Sequence, residues 1–176
     1  QLITLTAKLP VKHTKEGVQL VFYRSSNAKA KDLFTLFLHQ VIVQVWQNQN
    51  LSNSNFSESL LSQVRSTCGF YFNAKSQKVE TYSVSTIDNA EDELKMLLEA
   101  YMQGQKQALL LNSDIAAQVF KQSRGKVVEL TQEGFEQFWY GTDTTRGFAD
   151  DRYISYFWQK CPDIFSYLPY LKSVYS

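Results

Sequence analysis

The sequence has few of the residues from which metal and catalytic sites are built. Two cysteines, Cys68 and Cys161, are too few for a four-cysteine zinc site or an iron–sulfur cluster. They favour a reducing, cytoplasmic setting, although the two thiols could still pair. The two histidines, His13 and His39, fit no zinc spacing, and no glycine-rich phosphate loop or nucleophile elbow is present. The sequence therefore predicts no metal, no cofactor and no recognisable catalytic group.

Long hydrophobic runs and targeting signals are also missing. The most apolar stretch, residues 31–46, is too short and too interrupted to span a bilayer, so no membrane association is expected. The first residues are neither an initiator methionine nor a signal peptide, which suggests a piece cut from a longer protein. With 176 residues, 44% of them hydrophobic, we expect residues 1–176 to form a single domain.

Positive charge is concentrated at the start of the chain. Residues 1–31 contain six basic residues and one acid, Glu16, whereas the whole chain has a net charge of only +1. A basic segment beside an acidic remainder suggests contact with the DNA backbone. The candidate contacts are Lys8, Lys12, Lys15, Arg24 and Lys29. The alternative is that these bases form an ordinary solvated surface.

Hydrophobic periodicity predicts a hairpin followed by a buried helix. Residues 2–11 alternate in polarity like a half-buried strand, residues 12–17 form a polar connection, and residues 18–23 form a buried strand. Residues 31–46 have an apolar face too wide for a surface helix, with Gln40 and Gln44 among the few side chains left to face water. Residues 47–59 have the composition of a loop, with a helical turn expected near residues 60–64.

The remainder of the chain reads as a second hairpin followed by helices. Alternation over residues 68–84 predicts the hairpin, and Asp88 is a plausible N-cap for a helix that ends near Gly104. Short strands are expected at residues 108–111 and 127–130. Helices are expected at residues 114–122, at 131–140 with Thr131 as N-cap, at 151–159, and after Pro162. The overall prediction is a mixed α/β (α+β) fold.

Aromatic side chains are dense near the end of the chain. Because aromatic residues are enriched at protein interfaces, these are candidates for a partner surface, with inward packing as the alternative. The candidates are Tyr153, Tyr156, Phe157, Trp158, Tyr167 and Tyr170.

The hairpin, polar corner and buried helix resemble the core of RecB-type nuclease domains. In those domains the second strand ends in an acid, one further residue and a lysine, which bind metal ions for phosphodiester cleavage. Here Phe22 stands at the place of the acid and Arg24 at the place of the lysine. The resemblance thus implies a restriction-endonuclease-like, PD-(D/E)xK nuclease-like core with a mixed sheet flanked by helices, in which the catalytic positions are degenerate. An active metal-dependent nuclease would need acids supplied from elsewhere.

Two further segments resemble the C-terminal domain of RecC, the gamma subunit of exodeoxyribonuclease V. One is residues 97–111, and the other is a run from Arg146 through the Asp150–Asp151 pair to Tyr153 and Trp158. The resemblance implies a non-catalytic scaffold domain of a RecBCD helicase–nuclease that processes double-strand breaks for recombination. It implies RecB-like and RecD-like subunits as partners, and double-stranded DNA through the complex. A stand-alone, non-specific DNA-binding module that uses the basic hairpin is the alternative.

Overall fold

A computed structural model describes residues 4, 6–51, 59–110, 112–123, 131–166, 170 and 174, with the side chains of 120–123 excepted. Within these residues the chain divides into two compact units, unit 1 at Gln1–Lys95 and unit 2 at Met96–Ser176. The division falls inside a helix. Each unit has its own buried apolar cluster.

Unit 1 is built on a four-stranded mixed sheet. Its strands are β1 (Val11–Thr14), β2 (Gly17–Arg24), β3 (Ser66–Asn73) and β4 (Lys78–Val84), in the order β1-β2-β3-β4. β1 and β2 form an antiparallel hairpin in which Thr14 pairs with Gly17. β2 and β3 are parallel, and the long helix α1 (Ala30–Asn50) lies in the connection between them. A second antiparallel hairpin joins β3 to β4. Both predicted hairpins are confirmed.

The first strand begins later than its alternation predicts. Residues 6–10 are not in a strand, and β1 starts at Val11, so Lys12 and His13 lie in the strand rather than in the turn. Pro10 has no amide hydrogen for a ladder bond, although its carbonyl oxygen still accepts a hydrogen bond from the Val21 amide at 3.0 Å. Residues 2, 3 and 5 of the prediction lie outside the described residues.

α1 is longer than predicted, and several of its polar side chains make hydrogen bonds inside unit 1. Gln40 is 1% exposed and accepts a hydrogen bond from the Thr67 hydroxyl at 2.9 Å, so the expectation that it faces water is wrong. Gln44 donates to the Ile87 carbonyl at 3.0 Å and accepts from the Ile87 amide at 2.7 Å. Gln47, predicted to lie in a loop, is helical and donates to two carbonyl groups of the segment before β3. The Gln44 and Gln47 amides thereby provide partners for backbone groups.

Two further segments complete the description of unit 1. A 3₁₀ turn at Leu60–Gln63 confirms the helical turn expected there. α2 (Ala90–Gly104) begins two residues after Asp88, so Asp88 is not its N-cap, and the helix contains the division between the units.

Unit 2 is mostly helical. It contains α3 (Ser113–Ser123), α4 (Gln132–Tyr140), a two-residue hairpin of β5 (Gly141–Thr142) and β6 (Thr145–Arg146), and α5 (Arg152–Phe157). Thr131 caps α4 as predicted, accepting from the Gly134 amide at 3.1 Å. Asp151 caps α5, which ends at Phe157 rather than at residue 159. Phe135 and Trp139 are fully buried in the cluster around which these helices pack.

Several predictions for unit 2 are wrong or lie outside the described residues. Residues 108–110 form no strand, although Leu110 is buried as its apolarity predicts. The segment after Pro162 begins with a 3₁₀ turn at Ile164–Ser166, and Tyr170 and Val174 further along are helical. The strand predicted at 127–130 falls on residues that are not described. Among the described helices, none is long and apolar enough to cross a membrane.

Candidate functional site

The corner between β2 and α1 contains Phe22 and Arg24, the two residues that sequence resemblance alone compares with the acid and the lysine of nuclease domains. Phe22 lies on the α1 side of the sheet, half-buried, and its ring meets the His39 ring edge-on with 4.8 Å between centroids. The His39 Nδ1 lies 2.7 Å from the Thr35 carbonyl oxygen. At this position the chain therefore presents an apolar ring packed on a hydrogen-bonded histidine, which offers no oxygen ligand to a cation.

Arg24 is used to hold the corner together. Its Nη1 donates to Asp32 Oδ1 at 2.9 Å, in an ion pair whose side chains are 32% and 16% exposed. Its Nε donates to the Ser26 hydroxyl at 2.6 Å, and its Nη2 donates to the Asn27 carbonyl at 2.8 Å. Asp32 also accepts from the Lys29 amide at 2.7 Å, at the start of α1. The guanidinium thus fixes the loop and neutralises the carboxylate.

Other carboxylates of the described residues do not converge on this corner. Glu80 is on the same side of the sheet but accepts hydrogen bonds from the Asn73 amide at 2.6 Å and the Tyr82 hydroxyl at 3.3 Å. No three His, Cys, Asp or Glu side chains are grouped as metal ligands in the part of the chain that the structure describes. Burial, and then the Asp32 carboxylate, raise the pKa of the nearby Tyr71 hydroxyl. The corner is therefore a structural contact whose polar groups are bonded to one another.

The five candidate DNA contacts are separated into two environments. Lys8, Lys12, Lys15 and Lys29 are exposed, whereas Arg24 is half-buried in its ion pair. Lys15 lies in the first hairpin turn and Lys12 in β1, while Lys29 lies beyond the far end of the eight-residue strand β2. Since a strand rises about 3.3 Å per residue, roughly 25 Å of sheet separates the two ends. Lys15, Lys12 and Lys8 instead follow the outer strand of the sheet and the segment leading into it.

The aromatic residues near the end of the chain are largely exposed. Tyr153, Tyr156 and Phe157 are 84%, 79% and 59% exposed, and the last two rings meet edge-on at 5.0 Å. Trp158 is half-buried against the core of unit 2. Tyr170 is also half-buried, and its hydroxyl donates to Gln103 Oε1 at 3.3 Å. Tyr167 lies outside the described residues.

A shallow groove of about 520 Å³ lies beside α5 within unit 2. Its walls combine the end of α2 and the following turn with α5. The side chains that define it are Tyr101, Leu109, Tyr153, Ile154, Phe157 and Trp158. Tyr101, near the end of α2, is 62% exposed. We call this surface the aromatic groove.

Sequence reasoning missed one surface of unit 1. Strand register puts Tyr23, Phe70 and Val79 on the side of the sheet opposite to α1, where they are 80%, 37% and 61% exposed. Lys12 lies on the same side at the outer strand. We call the exposed part of this side, around Tyr23, Phe70 and Val79, the open face, since Gln19 and Cys68 on the same side are buried. The signal was present, because Phe70 and Phe72 alternate with Gly69 and Tyr71, but alternation does not say which set packs on the helix.

One comparison with known proteins gave a match. The family model of the RecC C-terminal domain matches residues 2–124, which cover all the strands of unit 1, α1, α2 and α3. No curated protein sequence matches the chain.

Proposed function

The chain belongs to the RecC C-terminal domain family, and on this premise we propose that it is the non-catalytic C-terminal scaffold domain of a RecC-type subunit. In this proposal residues 1–176 are a single nuclease-like domain cut from a longer subunit of a cytoplasmic RecBCD helicase–nuclease. The complex acts in double-strand-break repair and recombination. The observation that carries the proposal is the family match. The corner in which Phe22 packs on His39 and Arg24 pairs with Asp32 supports it.

The β2–α1 corner supports a domain that cuts no DNA itself. A magnesium-dependent nuclease needs carboxylate oxygens around the metal, but Phe22 contributes only an apolar ring and Arg24 neutralises Asp32. We expect the purified chain to leave linear duplex DNA intact in the presence of magnesium or manganese ions. Cleavage that disappears in an Asp32→Asn variant would support the alternative of an active metal-dependent nuclease.

The sheet and α1 support a degenerate restriction-endonuclease-like core. A long helix joins two parallel central strands, and an antiparallel strand flanks each of them. We propose that this mixed sheet with flanking helices is the PD-(D/E)xK nuclease-like arrangement from which the catalytic residues have been lost. Arg24, bonded to Asp32 and to the Ser26 hydroxyl, then has a structural role at the former cation position.

We further propose that the aromatic groove of unit 2 docks a partner subunit. Exposed tyrosine and phenylalanine rings beside an apolar groove are the side chains that dominate binding energy at protein interfaces. The exposed charges next to the groove, on Asp151 and Arg152, are of both signs, which suits a protein surface better than a polyanion. The partners in this proposal are the RecD-like subunit and, through other surfaces of the parent protein, the RecB-like subunit.

The docking proposal is tested by co-purification with the parent subunit, intact and truncated before Asp143. We expect the truncated subunit to retain the RecB-like protein and to lose the RecD-like protein. Retention of the RecB-like protein is the control for folding, because an unfolded subunit would lose both. Retention of the RecD-like protein as well would contradict docking through the aromatic groove.

The exposed lysines of the first hairpin favour duplex DNA handling as a second role, which is also the basis of the alternative stand-alone DNA-binding module. Lys8, Lys12 and Lys15 follow one edge of the sheet, where they can contact successive phosphates. Changing all three to Gln should lower the salt dependence of duplex binding by about 0.9 per lost phosphate contact. The matched control changes three exposed lysines elsewhere, Lys75, Lys78 and Lys106. An unchanged salt slope would exclude the role.

A further inference from the structure

Unit 1 contains a polar cavity of about 330 Å³ beside α1. Three of its lining residues, Gln40, Gln44 and Gln47, are three or four positions apart on α1 and so share one face of the helix. Ser62 and Arg65 line it from the segment that leads into β3. Among the residues that the structure describes, neither an aromatic ring nor an acid lines this cavity. We call it the amide cavity.

Gln40 is the lining residue whose hydrogen bonding is least complete. Its side chain is 1% exposed, and its Oε1 accepts from the Thr67 hydroxyl at 2.9 Å. Its Nε2, however, donates only to Gln44 Oε1, at 3.4 Å, well beyond the usual N–H···O distance of about 3.0 Å. That oxygen is already bonded to the Ile87 amide at 2.7 Å. Because a buried donor is costly to leave without a good partner, an acceptor oxygen placed in the cavity would stabilise Gln40.

The exposed side of the amide cavity carries one cation and further amide groups. Arg65 is exposed, and in the described part of the chain its guanidinium makes no ion pair. Asn48 is exposed on α1 and lines the same cavity. Gln47 donates through its Nε2 to two backbone carbonyls, which leaves its Oε1 as an acceptor. A ligand matched to these groups has both donors and acceptors and a single negative charge.

A peptide that carries a carboxylate has this combination. Its carbonyl and amide groups match the side-chain amides of Gln40, Gln47 and Asn48, and its carboxylate matches the forked donors of Arg65. Leu51 and Val64 also line the cavity and provide a short apolar contact. A nucleotide fits less well, because proteins stack unpaired bases on aromatic rings and the described lining contains none.

We propose that the amide cavity binds a peptide carboxylate, with Arg65 pairing with the charge and Gln40 and Asn48 bonding to the adjacent peptide groups. The carboxylate belongs either to a chain terminus or to an aspartate or glutamate side chain. The role goes beyond the docking and duplex handling proposed above, since its residues lie in unit 1 and include none of the candidate DNA contacts.

The experiment is an NMR titration of the full ¹⁵N-labelled 176-residue chain that follows its side-chain amide signals. The first probe, N-acetyl-alanyl-alanine, should shift the signals of Gln40 and Asn48. The same peptide with an amidated end lacks the charge and should bind about ten-fold more weakly. N-acetyl-glutamyl-alaninamide carries only a side-chain carboxylate, so the tighter of the two charged probes identifies the source of the carboxylate.

Two substitutions of exposed side chains test the assigned roles. Arg65→Gln should weaken both charged probes about ten-fold and leave the amidated probe unchanged. Asn48→Asp keeps the shape of the side chain and adds a negative charge, so it should weaken the charged probes at least as much. Arg146→Gln is the matched control, since Arg146 is exposed in unit 2 and does not line the cavity. Thermal melting of each variant checks that it is folded.

Four results would overturn the proposal. The first is that neither charged probe shifts the Gln40 and Asn48 signals, and the second is that the amidated probe binds as tightly as the charged ones. The third is unchanged affinity in Arg65→Gln, and the fourth is tighter binding of thymidine monophosphate than of either charged peptide. None of these results bears on docking through the aromatic groove, because the truncation before Asp143 leaves every lining residue of the amide cavity in place.

Discussion

The two units expose aromatic side chains in different surroundings. In unit 1, Tyr23 and Phe70 lie on the side of a four-stranded sheet that is opposite to α1. In unit 2, Tyr153 and Phe157 line a groove on helices whose neighbouring charges, Asp151 and Arg152, are mixed. The same kind of side chain is therefore exposed in two settings, a sheet face in unit 1 and a helical groove in unit 2. The surrounding charges and geometry, and not the rings alone, distinguish them.

The largest expected effect tests whether unit 2 has a real core beneath its exposed rings. Trp139 is fully buried, and Trp139→Ala should lower the free energy of unfolding by about 3–5 kcal/mol, measured in urea. Tyr156→Ala, at a position 79% exposed, should lower it by less than about 0.5 kcal/mol. Equal losses of unfolding free energy in the two variants would show that the exposed rings are part of the core. The contrast between exposed rings and buried core in unit 2 would then be wrong.

A second substitution tests the covered face of the sheet in unit 1. A Cβ atom at Gly69 would lie 2.5 Å from the Tyr71 ring and 2.9 Å from Leu36 Cδ1. Gly69→Val should therefore cost about 1–3 kcal/mol of stability through overpacking. Thr81→Val, on the open face, should change stability by less than about 0.5 kcal/mol in the same urea titration. A neutral Gly69→Val would mean that α1 does not pack closely there.

A third prediction distinguishes the structural role of Arg24 from the DNA contacts proposed for the exposed lysines. Because Arg24 makes three hydrogen bonds, one of which is also an ion pair, Arg24→Ala should cost about 1–2 kcal/mol. Arg24→Lys should recover only part of that loss, since an ammonium cannot reproduce the forked contacts. Lys12→Gln should alter the salt slope of DNA binding with no change in stability. The opposite pattern, a stable Arg24→Ala variant with weakened DNA binding, would return Arg24 to the candidate contacts.

The smallest expected effect is a decline in stability at alkaline pH that involves unit 1. Burial raises the pKa of Tyr71 and of Tyr82 above 10.0, so the folded chain keeps protons that the unfolded chain loses. Unfolding then releases these protons, so the contribution of the two tyrosines to stability should be constant below about pH 10 and fall as the pH rises through the raised values. Urea titrations of Tyr71→Phe and of the unchanged chain should differ above pH 10, with the smaller decline in the variant. Parallel declines would show that other groups cause the effect.

Much of unit 1 can be predicted from the sequence because its elements have clear periods. β2, β3, β4 and α1 follow from alternation and from a wide apolar helix face, and the β2–α1 corner follows from a local resemblance. The predicted start of β1 was wrong because the alternation of polar and apolar residues extends through Pro10, whereas the strand pairing does not reach that far. Gln40 was assigned to water because its partner, the Thr67 hydroxyl, is 27 residues away and leaves no local signal.

The surfaces are harder to predict, since periodicity separates two faces without saying which one another element will cover. Tyr101 is an aromatic residue of α2, yet it is 62% exposed. Tyr23 ends an apolar strand and is 80% exposed. The apolar segment at residues 108–110 packs Leu110 inward without joining a sheet, because apolarity predicts burial and not strand pairing.

The most direct test of the account is subunit capture by the full parent protein with Tyr153 and Phe157 both changed to Ser. Each residue lines the aromatic groove and is more than half exposed, so the fold should persist. Phe165→Ser is the matched control, since Phe165 is 51% exposed and does not line the groove. The account predicts loss of the RecD-like subunit with retention of the RecB-like subunit for the double variant only. Full retention of both subunits by the double variant would contradict the scaffold role assigned to this groove.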